Sequence, residues 1–210
     1  MIPALTRFTE KSLSHFPASY PLMRLYYRSI VNREIGLGSI NRHDRVLCVG
    51  GGAFPVTAME ICRHTGAAVD VLDCDLDAVE HARDLLRKMG MWQIFVHHGC
   101  GQSFDPSVYN VVHLALQVRG REQILENLQQ YAQPGTRILV RLPHSKLERF
   151  YEAPCQQTKA RLAQQAQLRL QPGSTMAGTC MLVKEDTAHE AKSLDIRSWT
   201  GAPAVASLAD

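Results

Sequence analysis

The chain has 210 residues, 45% of them apolar and 20% charged, with a formal net charge of +3. That length suits one α/β domain with small additions and is enough to bury a real core, while so mild a charge, without a concentrated basic patch, gives nucleic-acid binding no support. No run of about 18 apolar residues occurs, and the opening MIPALTRFTEKS lacks an apolar signal core, so a soluble cytoplasmic protein with no membrane partner is expected.

Residues 1–18 carry Pro3 and Pro17 and no sustained period, which predicts an irregular lead-in. From Pro21 to Ile35 a partial helical stripe (Leu22, Leu25, Tyr26, Ser29, Ile30, Arg33) predicts a helix that Gly36 and Gly38 end. It carries Tyr26, Tyr27 and Asn32, which either face a ligand or pack half-buried.

Arg45 to Thr57, RVLCVGGGAFPVT, reads as a buried strand, a turn at Gly50, Gly51 and Gly52, and a helix starting near Pro55. Strand, glycine turn and helix is how doubly wound α/β proteins hold a nucleotide-like ligand at the carboxyl end of the first strand. GGGAFP is not G-x-G-x-x-G, since Pro55 replaces the last glycine, and this suits a nucleoside better than a pyrophosphate. A glycine turn without a ligand is the alternative.

Ala68 to Leu72 is the next strand, ending in Asp73-Cys74-Asp75. An acid about 20 residues past a glycine turn is placed for ribose hydroxyls. Asp75 is the candidate and Asp73 a support for the loop; alternatively Asp75 caps the helix from Ala78 to Met89, or does both. A strand from Gln93 to His97 leads into Gly99-Cys100-Gly101-Gln102, near a bound base. Where many nucleoside binders have an aspartate for the adenine amino group this chain has Cys100, so the base would be read by backbone groups or Gln102.

Tyr109 to Val118, YNVVHLALQV, is apolar enough for a central strand covered on both faces. His113 within it reads as a core histidine rather than a catalyst, and Leu116, Gln117 and Val118 open toward the ligand side. After a helix from Arg121 to Ala132, the strand Arg137 to Leu142 delivers Pro143, His144 and Ser145 to the same rim. A helix from Cys155 to Ala166, a strand from Gln167 to Leu170 and a strand from Thr179 to Lys184 follow, the two strands forming an antiparallel edge hairpin. The organisation is a lid segment over 1–40, an α/β domain over 41–185 and a polar tail over 186–210.

Six cysteines (Cys48, Cys62, Cys74, Cys100, Cys155, Cys180) form no C-x-x-C pair, and nine histidines show no metal-ligand spacing. Reduced thiols and no metal are expected.

These segments resemble the nicotianamine synthase-like enzymes. VGGGAFPVTA (Val49 to Ala58) is similar to that family's V-G-S-G-P-L-P-x-T-S, DCD (Asp73 to Asp75) to its D-I-D, YNVVHLALQV to its Y-D-V-V-F-L-A-A-L-V, and VRLPH (Val140 to His144) to its V-R-S-A-H. Tyr26 to Asn32 matches its Y-x-x-x-x-x-N. The resemblance implies a Rossmann-like, class I S-adenosylmethionine-binding sheet with a short N-terminal helical lid, with S-adenosylmethionine as a substrate whose 3-amino-3-carboxypropyl arm is moved, leaving 5′-methylthioadenosine. It departs at Asn110, where the family has aspartate, at Gln117, and in the N-terminal region that in longer members encloses the acceptor amine and supplies a catalytic glutamate.

With little chain before the first strand, the expected reaction is intramolecular: the arm's amine displaces sulfur and closes azetidine-2-carboxylate, as in the short azetidine-2-carboxylate synthases that this chain resembles. Transfer of the arm to a small amine, ordinary methyl transfer and a binding role without turnover are the competing readings. The expected cofactor-binding set is Gly50, Gly51, Gly52, Pro55, Thr57, Asp73, Asp75, Cys100, Gln102, Gln117 and Ser145. Tyr20, Tyr26, Tyr27, Asn32 and His144 form the arm-positioning and catalytic set. Arg141 pairs either with the arm's carboxylate or with a structural acid.

Overall fold

The computed structural model describes residues 20–144, 146–147, 151, 167–169 and 176–186. Helix α1 spans Tyr20–Leu37, β1 Arg45–Val49, α2 Val56–Thr65, β2 Ala68–Asp73, α3 Leu76–Lys88, β3 Ile94–His98 and β4 Val111–Leu114. Then come α4 (Arg121–Tyr131), β5 (Arg137–Pro143), β6 (Gln167–Arg169) and β7 (Met176–Val183). The expected lead-in over 1–18, the helix from Cys155 to Ala166 and nearly all of the tail lie outside the described residues.

The strands form one seven-stranded sheet in the order β3-β2-β1-β4-β5-β7-β6. The first five are parallel, and β7 and β6 run antiparallel beyond β5. The order reverses between β1 and β4, so their carboxyl ends open a crevice at the switch point. The doubly wound sheet with an antiparallel edge hairpin is as the sequence predicts.

Side chains alternate across the strands because successive residues point to opposite faces. Val46, Val69, Val111 and Leu139 pack with Val31 of α1, Met59 and Ile61 of α2, and Val79 and Leu85 of α3. Leu47, Val112, Leu114, Ile138 and Val140 pack with Ile124, Leu125 and Leu128 of α4 on the other face. Burial of each such side chain contributes about 1.5–3 kcal/mol, which explains why the strands read as continuous apolar runs.

The structure departs from the sequence expectation at β4 and at α1. β4 covers only Val111–Leu114, not Tyr109 to Val118. Its start is set by Asn110, whose Oδ1 accepts from the Arg45 N–H at 2.9 Å, and its end by β1, which stops at Val49; beyond it, the apolar residues fill a loop rather than a strand. The stripe of α1 is also turned. Leu25 is 77% exposed, whereas Ile30, Val31 and Glu34 are buried, so α1 is anchored in the core by a face that includes a carboxylate. No helix among the described residues is long and apolar enough to cross a membrane.

Candidate functional site

At the end of β1 the backbone turns through Gly50 (φ 80°). A Cβ there would lie 2.3 Å from Val118 Cγ2, and one on Gly51 would lie 2.2 Å from Val71 Cγ1, so the turn is hemmed in by protein on both sides. Pro55 occupies the N-cap of α2 and Gly66, in the left-handed region, its C-cap. The first turn of α2 therefore faces the crevice with uncapped backbone donors, a setting that favours a negative group.

Asp73 supports the turn. Its Oδ2 accepts from Gly52 N–H at 2.7 Å and its Oδ1 from Asp75 N–H at 3.0 Å. Asp75 caps α3, its Oδ1 accepting from Ala78 N–H at 3.3 Å. It remains exposed at the rim.

A cavity of about 420 Å³ runs between these strand ends. Gly50, Gly51, Gly52, Pro55, Thr57, Asp73, Asp75, Cys100, Gln102 and Gln117 all line it, as does Tyr27 from α1. Gln102 also lies across Gly120, its Nε2 1.9 Å from where a Cβ of Gly120 would be, so it packs the loop after β3 against the start of α4.

The rest of the predicted arm-positioning set is not brought together. Tyr26 is 45% exposed and meets Tyr27 edge to face at 5.0 Å between centroids, outside the cavity lining. Asn32 is exposed on α1; five residues beyond Tyr27 is about 140° around a helix, which turns it away. His144 is exposed past the end of β5 and outside the lining. Ser145 and the side chain of Tyr20 lie outside the described residues.

Beneath Tyr27 is a buried group of charges that the sequence reading did not assemble. Arg141 Nε and Nη2 donate to Glu34 Oε1 and Oε2 at 2.8 and 2.7 Å, and Thr179 Oγ1 donates to Glu34 Oε1 at 2.6 Å. His113 Nε2 is 3.3 Å from Glu34 Oε2, and the Arg141 guanidinium carbon is 5.7 Å from the Tyr27 ring centroid. Arg141 is therefore the partner of a structural acid. His113 and Arg141 line the cavity floor with Cys48 and Met176.

Burial works against the Glu34 charge, but Arg141 and then His113 outweigh it and hold its pKa well below the ordinary carboxylate value. Burial lowers the His113 pKa, Glu34 opposing and Arg141 adding to that effect, which favours the neutral imidazole. Burial pushes the Cys48 thiol up to about 12. Glu34 was legible only as an acid seven residues after Tyr27, which puts both on one helix face.

No family model matches the sequence. The chain is similar to L-histidine 2-aminobutanoyltransferase of Pseudomonas aeruginosa strain UCBPP-PA14, 36% identical over 61 residues, or 29% of this chain and 23% of that enzyme. It is 27% identical over 116 residues to the L-histidine 2-aminobutanoyltransferase of Yersinia pestis, 55% of this chain and 43% of that enzyme. The chain thus spans less than half the length of these relatives. Among solved structures it is similar to a mutant of the nicotianamine synthase MtNAS in complex with S-adenosylmethionine, with TM-score 0.71 at 19% identity over 89% of this chain and 73% of that one. It is also similar to an RNA methyltransferase from Salinibacter ruber in complex with S-adenosyl-L-homocysteine, with TM-score 0.61 at 18% identity over 75% of this chain and 92% of that one. The fold is the Rossmann-like fold of class I methyltransferases, shared with nicotianamine synthase.

Proposed function

We propose that the chain is an enzyme that takes S-adenosylmethionine as substrate and breaks the bond between its sulfur and the γ-carbon of the 3-amino-3-carboxypropyl arm. The arm's own amine closes on that carbon, giving azetidine-2-carboxylate and 5′-methylthioadenosine. The observation that carries this reading is the size of the chamber. At about 420 Å³ it is near the lower end of the range, roughly 300–1,000 Å³, that holds a drug-sized ligand. One nucleoside with its arm fits such a space among the described residues, and that ligand carries its own nucleophile.

In this reading Asp75 accepts hydrogen bonds from the ribose hydroxyls, and the loop from Gly99 to Gln102 borders the adenine. The arm's carboxylate meets the first turn of α2 at Thr57, and Tyr27 covers the sulfonium. Folding the arm so that nitrogen approaches the γ-carbon opposite sulfur is the main task. Orientation effects contribute up to about 7–11 kcal/mol, a share of which lowers the barrier that the strain of a four-membered ring raises. The sulfonium loses its charge during closure, so Tyr27 favours binding more than rate.

Purified protein incubated with S-adenosylmethionine alone, analysed by mass spectrometry, is expected to yield 5′-methylthioadenosine and azetidine-2-carboxylate, the latter separated from homoserine and its lactone. S-adenosylhomocysteine as the nucleoside product would instead identify methyl transfer. The relatives' activity favours a second reading, transfer of the arm to a small amine such as histidine. That reading requires turnover to appear only when an amine is added.

A further inference from the structure

We propose that His113 is the proton acceptor for the arm's amine, positioned by the buried Glu34 carboxylate. His113 has this role only if the chamber holds S-adenosylmethionine as described above.

Val111 and His113 point to the same face of β4. Val111 is sealed in the core, whereas His113, nearer the carboxyl end, reaches the cavity while only 1% exposed to solvent. Its Nε2 is buried and makes no well-aligned hydrogen bond among the described residues, with Glu34 Oε2 3.3 Å away. With the proton on Nδ1, a lone pair of Nε2 lies beside a carboxylate, a poor contact. A proton arriving at Nε2 turns the same contact into a charge-assisted one. Glu34 thus favours a proton at Nε2, against the burial and the Arg141 charge that lower the His113 pKa.

The other groups on this floor are unsuited. Glu34 already accepts from Arg141 and Thr179 and its pKa is held well below the ordinary value. Arg141 is protonated, and the Cys48 thiol, register partner of His113 on β1, is pushed up to about 12. Tyr27 stands on the same face of α1 and is a donor at neutral pH. Burial leaves His113 as the neutral base facing these groups.

The ammonium of the arm gives one proton to Nε2, forming imidazolium and a neutral amine. The nitrogen lone pair then forms the N–Cγ bond as the Cγ–S bond breaks, and that bonding pair stays on sulfur as the neutral thioether. The ring leaves as the zwitterion, and the imidazolium returns its proton to water when the products depart.

The test uses the full chain and S-adenosylmethionine alone, following both products by mass spectrometry and binding by calorimetry. His113→Gln is expected to lower kcat about 100-fold or more, the range for a lost general base, while the Kd for S-adenosylmethionine stays within about threefold, and to abolish the ascending acid limb of the wild-type pH–kcat profile. Glu34→Gln, which keeps the shape but removes the charge, is expected to move that limb to lower pH. His113→Gln turning over within about threefold of wild type, or losing binding and turnover in parallel, would overturn the role of His113 while leaving the cyclisation intact. If His113→Gln does not fold, a wild-type profile without an acid limb, or a limb that Glu34→Gln does not move, overturns it. A wild-type product other than 5′-methylthioadenosine overturns both proposals.

Discussion

The backbone N–H of Gly52 donates to Asp73 Oδ2 at 2.7 Å, so the glycine turn after β1 is fixed by the acid that ends β2. Removal of the acceptor leaves that N–H, and the Asp75 N–H bound to the other oxygen, without partners in the crevice. Asp73→Ala is expected to lower S-adenosylmethionine affinity about tenfold, since a half-buried charge-assisted bond contributes on the order of 1.5–3 kcal/mol. Asp73→Asn should recover part of this. Calorimetric titration of the two variants measures the difference.

Asp75 serves two tasks that substitution can separate. Its side chain caps α3 through Ala78 N–H, and replacement of a cap by alanine costs about 1 kcal/mol. Asp75→Ala is expected to lose stability and ligand affinity together, whereas Asp75→Ser keeps the cap and loses only affinity. Urea unfolding paired with titration distinguishes the two.

The bidentate pair of Glu34 and Arg141 is fully enclosed. Breaking a buried pair from one side costs about 3–5 kcal/mol, because the remaining charge has no partner, while replacing both members by apolar groups is often neutral. Glu34→Ala is expected to destabilise by that amount, and the double change Glu34→Leu with Arg141→Met by much less. Denaturant midpoints report both.

Acid should weaken the fold in two stages. The pKa of His113 and that of Glu34 are both lower folded than unfolded, so the unfolded chain binds more protons and stability rises with pH. The His113 contribution is complete above its unfolded value of 6.5 and is lost as pH falls through its lower folded value. The Glu34 contribution is complete above 4.5 and is lost below it. Unfolding free energy measured between pH 3 and 8 should fall from about 6.5 downward, and His113→Phe should flatten the upper stage.

Thiol reactivity should map the cavity rim. Cys74 and Cys100 are exposed and line the cavity, whereas Cys48 and Cys180 are buried with thiols pushed up to about 12 and about 11. Iodoacetamide at pH 8 is expected to modify Cys74 and Cys100 and spare the other two. Bound S-adenosylmethionine should slow the modification of both, as read by peptide mass mapping.

Local chemistry made the frame legible. The glycine turn, Pro55, Gly66 and the acids after β2 act within a few residues of themselves, and their roles follow from backbone geometry. The floor was hidden because its contacts are long-range. Nothing near Glu34 announces Arg141, 107 positions away, and an acid in a helix otherwise reads as its solvent face. His113 sits in an apolar run and was read as core, which is right for its burial and silent about the cavity above it. Tyr26 and Asn32 were grouped with Tyr27 by sequence spacing, but the rotation of α1 was fixed by Ile30, Val31 and Glu34.

Glu34 and Thr179 meet across 145 positions, joining the first described helix to the last strand. During synthesis the glycine turn and the parallel strands emerge and can pair well before β7 leaves the ribosome. Until then Glu34 and Arg141 lack the hydroxyl that completes their enclosure, and the floor has no Met176. The glycine turn, Asp73 and Asp75 are thus made well before the residues that close the cavity floor.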